Sequence, residues 1–227
     1  MNITNSVQNE IEVLSKLNHK NIIKYLGSYV KGYKLNLVLE YCIGGSLYKL
    51  LEVYSNFKET IIRKYTVQIL EGIEYLHSHN IMHRDIKCAN ILINRDGVCK
   101  LSDFGGAKII KDIFDITKSS IEGTPNWMAP EIVKKAEATR FSDIWSIGCT
   151  VIEMFQGKPP WSNYYTAISV MNCIYNTKEP PEIPAQASPE LKDFLRHCLQ
   201  LEPKKRWNVY QLLRHPFITK KKIFQLW

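Results

Sequence analysis

"IMHRDIKCANILI", residues 81–93, sets His83, Arg84 and Asp85 in a row, with Lys87 two positions on and Asn90 three further. Apolar flanks, Ile81-Met82 and Ile91-Leu92-Ile93, bury both ends, so two cations, a carboxylate and an amide gather in a short polar loop between buried segments. Downstream, "KLSDFGGAK" (100–108) places Asp103 after a short apolar strand and before Phe104 and Gly105. Asn and Asp supply hard oxygen ligands suited to Mg²⁺, an ion that takes few protein ligands and completes its shell with phosphate oxygens and water. Asn90 and Asp103 are candidates for that role. Asp85 is then placed to accept a hydroxyl proton, and Lys87 to steady a transferring phosphoryl group.

Outward from this loop the chain changes character. Residues 7–17 put Val7, Ile11, Leu14 and Leu17 on one helical face, and "NIIKYLGSY" and "LNLVLEY" read as two antiparallel strands around the turn-prone "KGYK". "CIGGSL" is a glycine-bearing connector. Beyond it the periods are helical: Ile62, Tyr65, Ile69, Ile73 and Leu76 recur across residues 60–79. Residues 91–102 bracket "NRDG" with apolar runs, which predicts a small hairpin. "DIWSIGCTVIEMF" is apolar nearly all round, the pattern of a helix buried at the centre of a helical body. "SPELKDFLRHCLQ" opens with a cap, Ser188, and a first-turn proline, Pro189. The expected class is α+β, a little sheet followed by a large helical body.

Composition bounds the function. A chain of 227 residues with 45% hydrophobic and 23% charged residues can bury a sizeable core and is neither disordered nor a coiled coil. The longest apolar candidate, "IWSIGCTVIEMF", is too short to span a bilayer and carries Glu153. "MNITNSVQNE" lacks the regions of a signal peptide, so a soluble, cytoplasmic protein is expected, with no membrane partner. Six dispersed cysteines form no C-x-x-C pair and read as reduced, packed thiols. The net charge of +8 is spread along the chain, which argues for a solvated basic surface over nucleic-acid binding.

H-R-D-x-K-x-x-N, then D-F-G thirteen residues after the Asn, then "GTPNWMAPE" occur here in one order. In this the sequence resembles the eukaryotic protein kinases of serine/threonine type, from about Val7 to Phe217. "HRDIKCANILI", "GTPNWMAPE", "DIWSIGCTVIEM" and "GKPPW" are most similar to the MEKK-like mitogen-activated protein kinase kinase kinases, and the germinal-centre-like kinases share much of that wording. The resemblance implies a kinase fold with a helical C-lobe and an incomplete N-lobe of helix C and two or so strands. Its divisions are 1–41 for the partial N-lobe, 42–46 for the hinge, 47–219 for the C-lobe and 220–227 for a tail. It implies phosphoryl transfer from ATP, with Mg²⁺, to a protein Ser/Thr hydroxyl, in a MAP kinase cascade with a MAP kinase kinase as the candidate substrate.

Residue by residue, Asp85 matches the catalytic base and Lys87 the lysine beside it, near the phosphates. Asn90 and Asp103 match the Mg²⁺ ligands. Leu39 matches the gatekeeper, the Glu40 and Cys42 backbones face adenine, Ser46 lies near the ribose, and Leu92 packs beneath the ring. Glu10, in "QNEIEVLSKLNH", matches the helix glutamate that normally pairs with an ATP-contacting lysine. Arg84 is the type of residue that pairs with an activation-segment phosphate. Thr117, Ser119 and Ser120 are the candidate acceptors, Ser120 preferred for its spacing to "GTPNWMAPE". Thr124 is expected to hydrogen-bond Lys87 and Asp85, Glu131 and Arg206 to form a buried structural pair, and Asp143 to tie the backbone of the catalytic loop.

The sequence also departs from the family. A complete member opens with G-x-G-x-x-G and a strand bearing V-A-x-K, and "MNITNSVQN" contains neither Lys nor Gly. Glu10 is thus expected to lack its lysine, and losing one such group costs about 2.7–4 kcal/mol of transition-state stabilisation. One edge of the small sheet is expected to be unpaired. Truncation of a normal kinase is the favoured origin, a natural short form the alternative. A noncatalytic scaffold module is the rival to an enzyme. Trp207 follows Arg206 where Pro is usual, and Glu122 stands where MEKK-like kinases often carry threonine.

Overall fold

In this computed structural model the described residues are 5–32, 34–109, 123–134 and 137–220. The N-terminal part is a helix, α1 (Asn5–Leu14), and an antiparallel pair, β1 (Tyr25–Lys31) and β2 (Lys34–Leu39). The helix stops three residues short of the expected 17, and a looser turn carries Leu17 into the core. Val13 and Leu14 are buried beside it, and the side chain of Val7 lies outside the described part. Val30 faces Leu35 and Ser28 faces Leu37, with an irregularity between Tyr25 and Gly27. Among the described residues this sheet has two strands, and Leu26 and Val30 are 57% and 52% exposed.

The body begins at α2 (Leu47–Tyr54), capped by Ser46, whose hydroxyl oxygen accepts from the Lys49 N–H. Helix α3 (Glu59–Ser78) buries Ile62, Ile69, Ile73 and Leu76, with Tyr65 packed beside them. Four short strands follow: β3 (Ile81–Met82), β4 (Ile91–Ile93), β5 (Cys99–Leu101) and β6 (Lys108–Ile109). Strands β4 and β5 form the expected hairpin, its turn held by Asn94 Oδ1, which accepts from the Asp96 and Val98 N–H groups. Strand β3 pairs with β6. These two ladders matter for function. The loop after β3 leads into β4 and the loop after β5 leads into β6, so residues 83–90 and 102–107 are framed side by side.

The remaining elements are helices: α4 (Pro130–Val133), α5 (Arg140–Gln156), α6 (Ala167–Asn176), α7 (Pro189–Cys198), α8 (Val209–Leu213) and α9 (Pro216–Thr219). Helix α5 is the axis, buried at every residue from Ser142 to Met154. Ser188 caps α7 as expected, and Glu59 at the start of α3 accepts from both its N–H (2.7 Å) and its hydroxyl (2.6 Å), fastening the two helices together. Every cysteine is unpaired; Cys42, Cys88, Cys99, Cys149 and Cys198 are buried, and burial pushes the Cys99 thiol up to about 12. A second small apolar cluster, Met128, Val133, Val170 and Ile174, sits between α4 and α6. No helix among the described residues is long and apolar enough to cross a membrane. The α+β class expected from the sequence is what the chain adopts.

Candidate active site

The carboxylate of Asp85 is gripped from both sides. Its Oδ2 accepts from Lys87 Nζ at 2.6 Å and from Asn90 Nδ2 at 2.8 Å. Its Oδ1 accepts from the Thr124 N–H at 3.1 Å and the Thr124 hydroxyl at 2.8 Å. Lys87 Nζ also donates to Thr124 Oγ1, so the expected Thr124–Lys87–Asp85 contact is present. Burial alone would raise the Asp85 carboxyl, but the Lys87 ammonium and the Thr124 and Asn90 donors together outweigh it and hold the group below its ordinary value. Asp85 is therefore ionised at neutral pH and aimed. Gly123 lets the Thr124 segment come this close: its φ is +114°, and a Cβ there would lie 2.9 Å from the Arg84 carbonyl oxygen.

Asn90 turns its amide nitrogen to Asp85, at the backbone oxygen (2.9 Å) as well as the carboxylate, so neither bond draws on its oxygen. Ser102 binds the Asn90 carbonyl oxygen twice, through its N–H and its hydroxyl, both at 2.9 Å. That fixes the residue before Asp103 to Asn90. Asp103 itself has φ +64°, a left-handed conformation unusual for a residue with a side chain, and its side chain is exposed. His83, fully buried, supports this region: its Nδ1 accepts from the Asp85 N–H (3.3 Å), so its proton is on Nε2 and is donated to Ser102 O (3.1 Å). Burial lowers the His83 pKa, which keeps the ring neutral, and the two hydrogen bonds select the tautomer. Glu10 lies beside this point, accepting from the Phe104 N–H. Burial and then the Asp103 charge push its carboxyl upward. Among the described residues no lysine or arginine forms an ion pair with Glu10.

The loop is held from beneath by α5, and here the sequence reading needs correction. The helix is not apolar all round. Asp143, Ser146, Thr150 and Glu153, spaced i, i+3, i+7 and i+10, form a polar stripe on one face. Asp143 accepts from the His83 N–H (3.1 Å), the Arg84 N–H (2.9 Å) and His77 Nε2 (2.8 Å). Thr150 donates to Ile86 O (3.2 Å), and Ser146 donates to Trp127 O (2.8 Å). Glu153 Oε2 accepts from the Cys88 N–H and from Trp127 Nε1, each at 3.0 Å. Only Asp143 of these was legible from the sequence. The helical spacing of the four polar residues is the signal that would have found the others.

At the other edge, residues 39–46 cross from β2 to α2. The Glu40 N–H donates to Lys24 O (2.9 Å), and the Gly45 N–H donates to Cys42 O (3.1 Å). These bonds leave out the Glu40 carbonyl and the Cys42 N–H, an acceptor and a donor two residues apart. The Glu40 carboxylate is bound by Lys100 Nζ and the Lys24 N–H, both at 2.8 Å. Ser46 bridges Leu92 through the backbone, so its hydroxyl oxygen serves as a helix cap beside β4. Leu39 and Leu92 are half-buried against the core. Gly44 fits only because it lacks a side chain: a Cβ would lie 2.9 Å from Ile93.

The protein kinase domain family matches residues 1–218. The chain belongs to that family. Among curated proteins it is 47% identical over 216 residues to mitogen-activated protein kinase kinase kinase 2 of Arabidopsis thaliana, covering 95% of this chain and 33% of that protein. It is 46% identical over 217 residues to mitogen-activated protein kinase kinase kinase A of Dictyostelium discoideum, covering 96% and 23%. Cytokinesis protein sepH of Emericella nidulans is 44% identical over 210 residues, covering 92% and 15%. The chain thus spans a third or less of the length of these relatives.

Two side-chain clusters of the kinase domain are structural, one buried and one partly exposed. Arg206 clasps Glu131 through both nitrogens, at 2.7 and 2.8 Å, while also donating to the Phe141 and Gln200 carbonyls, and its guanidinium lies 5.0 Å from the Trp145 ring centroid. Ser142 completes Glu131 with a 2.8 Å bond. Every polar atom of the pair is partnered, which a buried charge requires. Asp193, His197 and His215 lie within metal-ligand reach of one another. Yet His215 Nδ1 accepts from the Phe217 N–H (3.0 Å), so its Nε2 carries the proton donated to Asp193 (3.0 Å), and neither nitrogen offers a lone pair to a metal. Trp207, the departure from the usual Pro, stacks on His197 with centroids 3.8 Å apart. Thr117, Ser119, Ser120 and Glu122 lie outside the described residues.

Proposed function

We propose that this domain transfers the γ-phosphoryl group of ATP to a Ser or Thr hydroxyl of a protein substrate. The observation that carries this is the four-donor grip on Asp85, with Asn90 beside it and Asp103 one residue from the serine that binds Asn90. Asp85 takes the proton of the incoming hydroxyl as that oxygen bonds to the γ-phosphorus and the bond to the ADP oxygen breaks. Lys87, held between Asp85 and Thr124, lies ready to stabilise charge on the transferring group, and Thr124 orients Asp85 toward the hydroxyl.

The donors fit Mg²⁺: a hard amide oxygen turned away from Asp85 and an exposed carboxylate on strained backbone, Asn90 and Asp103. When bound, that ion neutralises phosphate charge. Glu40 carbonyl and Cys42 N–H complement the donor and acceptor on one edge of adenine, with Leu39 and Leu92 as apolar walls and Ser46 at the ribose end. Residues 1–41, 42–46, 47–219 and 220–227 are accordingly read as partial N-lobe, hinge, C-lobe and tail. Arg84 and Glu10 are read as regulatory groups, and Thr117, Ser119 and Ser120 as candidate phosphate acceptors. The relatives named as mitogen-activated protein kinase kinase kinases support a MAP kinase kinase as the substrate. The dispersed charge and the lack of a signal-peptide pattern support a cytoplasmic protein with no nucleic acid or membrane partner.

The test is transfer of ³²P from γ-labelled ATP with Mg²⁺ to casein by the wild-type chain and by Asp85→Asn. The expected loss in the variant is about 10²–10⁴-fold, the range for a positioned general base. Equal transfer by both would overturn the enzyme reading and leave a scaffold module.

A further inference from the structure

Two features of the chain take no part in phosphoryl transfer: a groove on the helical body and the basic, then apolar, stretch that follows α9. The groove, about 480 Å³, lies where the start of α3 meets the end of α5, and Phe57, Lys58, Glu59, Phe155, Lys158 and Gln186 line it. Its walls are fixed to each other through the backbone. The Phe57 N–H donates to Met154 O at 2.9 Å. Gly157 ends α5 at φ +74°, and a Cβ there would lie 1.8 Å from the Ser55 carbonyl oxygen. The groove is therefore preformed, with the rings of Phe57 and Phe155 in its lining.

The stretch "KKKIFQLW" (220–227) is three lysines and then four apolar residues in five. Lys220 is the last described residue, and its Nζ is paired with Glu190. Ser188, two residues before Glu190, gives its N–H and its hydroxyl to Glu59, which belongs to the groove. From Lys220 the route thus passes two carboxylates, Glu190 and Glu59, and then arrives at Phe57 and Phe155. Cations followed by apolar side chains in the tail face carboxylates followed by aromatic rings on the body, in the same order. Seven extended residues reach roughly 23–25 Å, and the route is only two side-chain contacts long.

We propose that residues 221–227 dock on this groove, with Lys221 and Lys222 over Glu190 and Glu59 and the rings of Phe224 and Trp227 against Phe57 and Phe155. Lys58 and Lys158 are further partners for those rings, since an ammonium group is drawn to an aromatic face. A preformed groove lowers the cost of ordering the tail, because only one partner has to be fixed. The proposal stands apart from the phosphoryl-transfer reading and does not depend on it.

The full chain is made with p-benzoylphenylalanine in place of Phe224, irradiated, digested and mapped by mass spectrometry. The expected product is a link within one chain to residues 55–59 or 154–158. A link between two chains, a link elsewhere on the body, or no link would each overturn the proposal. Trypsin cleavage after Lys222 reads the same contact without the photoprobe. Phe224→Ser combined with Trp227→Ser is expected to speed that cleavage at least about tenfold, the population shift that one lost buried ring represents. Phe155→Ala should speed it comparably, and adding it to the tail variant should change nothing further. Should circular dichroism show that Phe155→Ala does not fold, Gln186→Trp, which fills the groove from an exposed position, must speed the cleavage in its place. Equal cleavage of the wild type and the tail variant would show the groove to be empty of this segment and end the proposal.

Discussion

The β1–β2 ribbon and helix α5 both carry polar residues among apolar ones, but they use them in opposite ways. In the ribbon Leu26, Tyr29, Val30 and Val38 face outward, and its polar groups are screened by solvent. In α5 every residue from Ser142 to Met154 is buried, and the four polar side chains of the stripe each bind a group on a loop. A hydrogen bond in a dry interior is stronger, and one left unmade costs more, than its counterpart at the surface. The contrast teaches where this domain keeps its precision. The geometry of the site is dictated by the helix beneath it, and the ribbon contributes an edge.

The largest effect should come from the ion pair at the bottom of the body. Glu131→Ala leaves the Arg206 charge buried and uncompensated, and a loss of about 3–5 kcal/mol in urea unfolding is expected. A loss under about 1 kcal/mol would mean that the body tolerates an unpaired buried charge. Next, Ile147→Ala opens a cavity beside the stripe and should cost about 2–5 kcal/mol in the same assay.

Smaller is the pH dependence of the stripe. Burial alone would raise the Asp143 carboxyl, but the His77 contact and the Arg84 N–H bond prevail and hold it below its ordinary value of 3.8. Its stabilising contribution is therefore complete above that value and fades as pH falls through the lower folded pKa. Glu153, raised chiefly by burial, works in the opposite sense: its charged form costs stability above its folded pKa, and protonation relieves that cost. Asp143→Asn should consequently flatten the acid limb of the stability curve, and Glu153→Gln should steepen it. Smallest of all, Val30→Thr on the ribbon should change stability by no more than about 0.5 kcal/mol. A loss as large as that of Ile147→Ala would show that the ribbon face is covered in solution.

Much of the site was legible because its chemistry is written in adjacent letters. His83 to Asn90 and Asp103 to Gly105 are short runs, and the hairpin, the caps and the α3 stripe follow local periods that any chain must obey. What the letters could not show is which partner satisfies each polar atom. Glu153 looked like a charge in an apolar helix, and its donors lie 65 and 26 residues away in sequence. The first helix was read three residues too long because Leu17 keeps the apolar period after the backbone has left the helix.

The sequence by itself determined the fold class, the order of the elements and the residue types that can handle a phosphoryl group, since these depend on local spacing and intrinsic chemistry. Tertiary structure alone decided that Asp85 is ionised by convergent donors, that His83 carries its proton on Nε2, and that the α5 stripe sets the height of both loops. Charge state and orientation depend on desolvation and on partners brought from distant positions, and those exist only once the chain has closed around them.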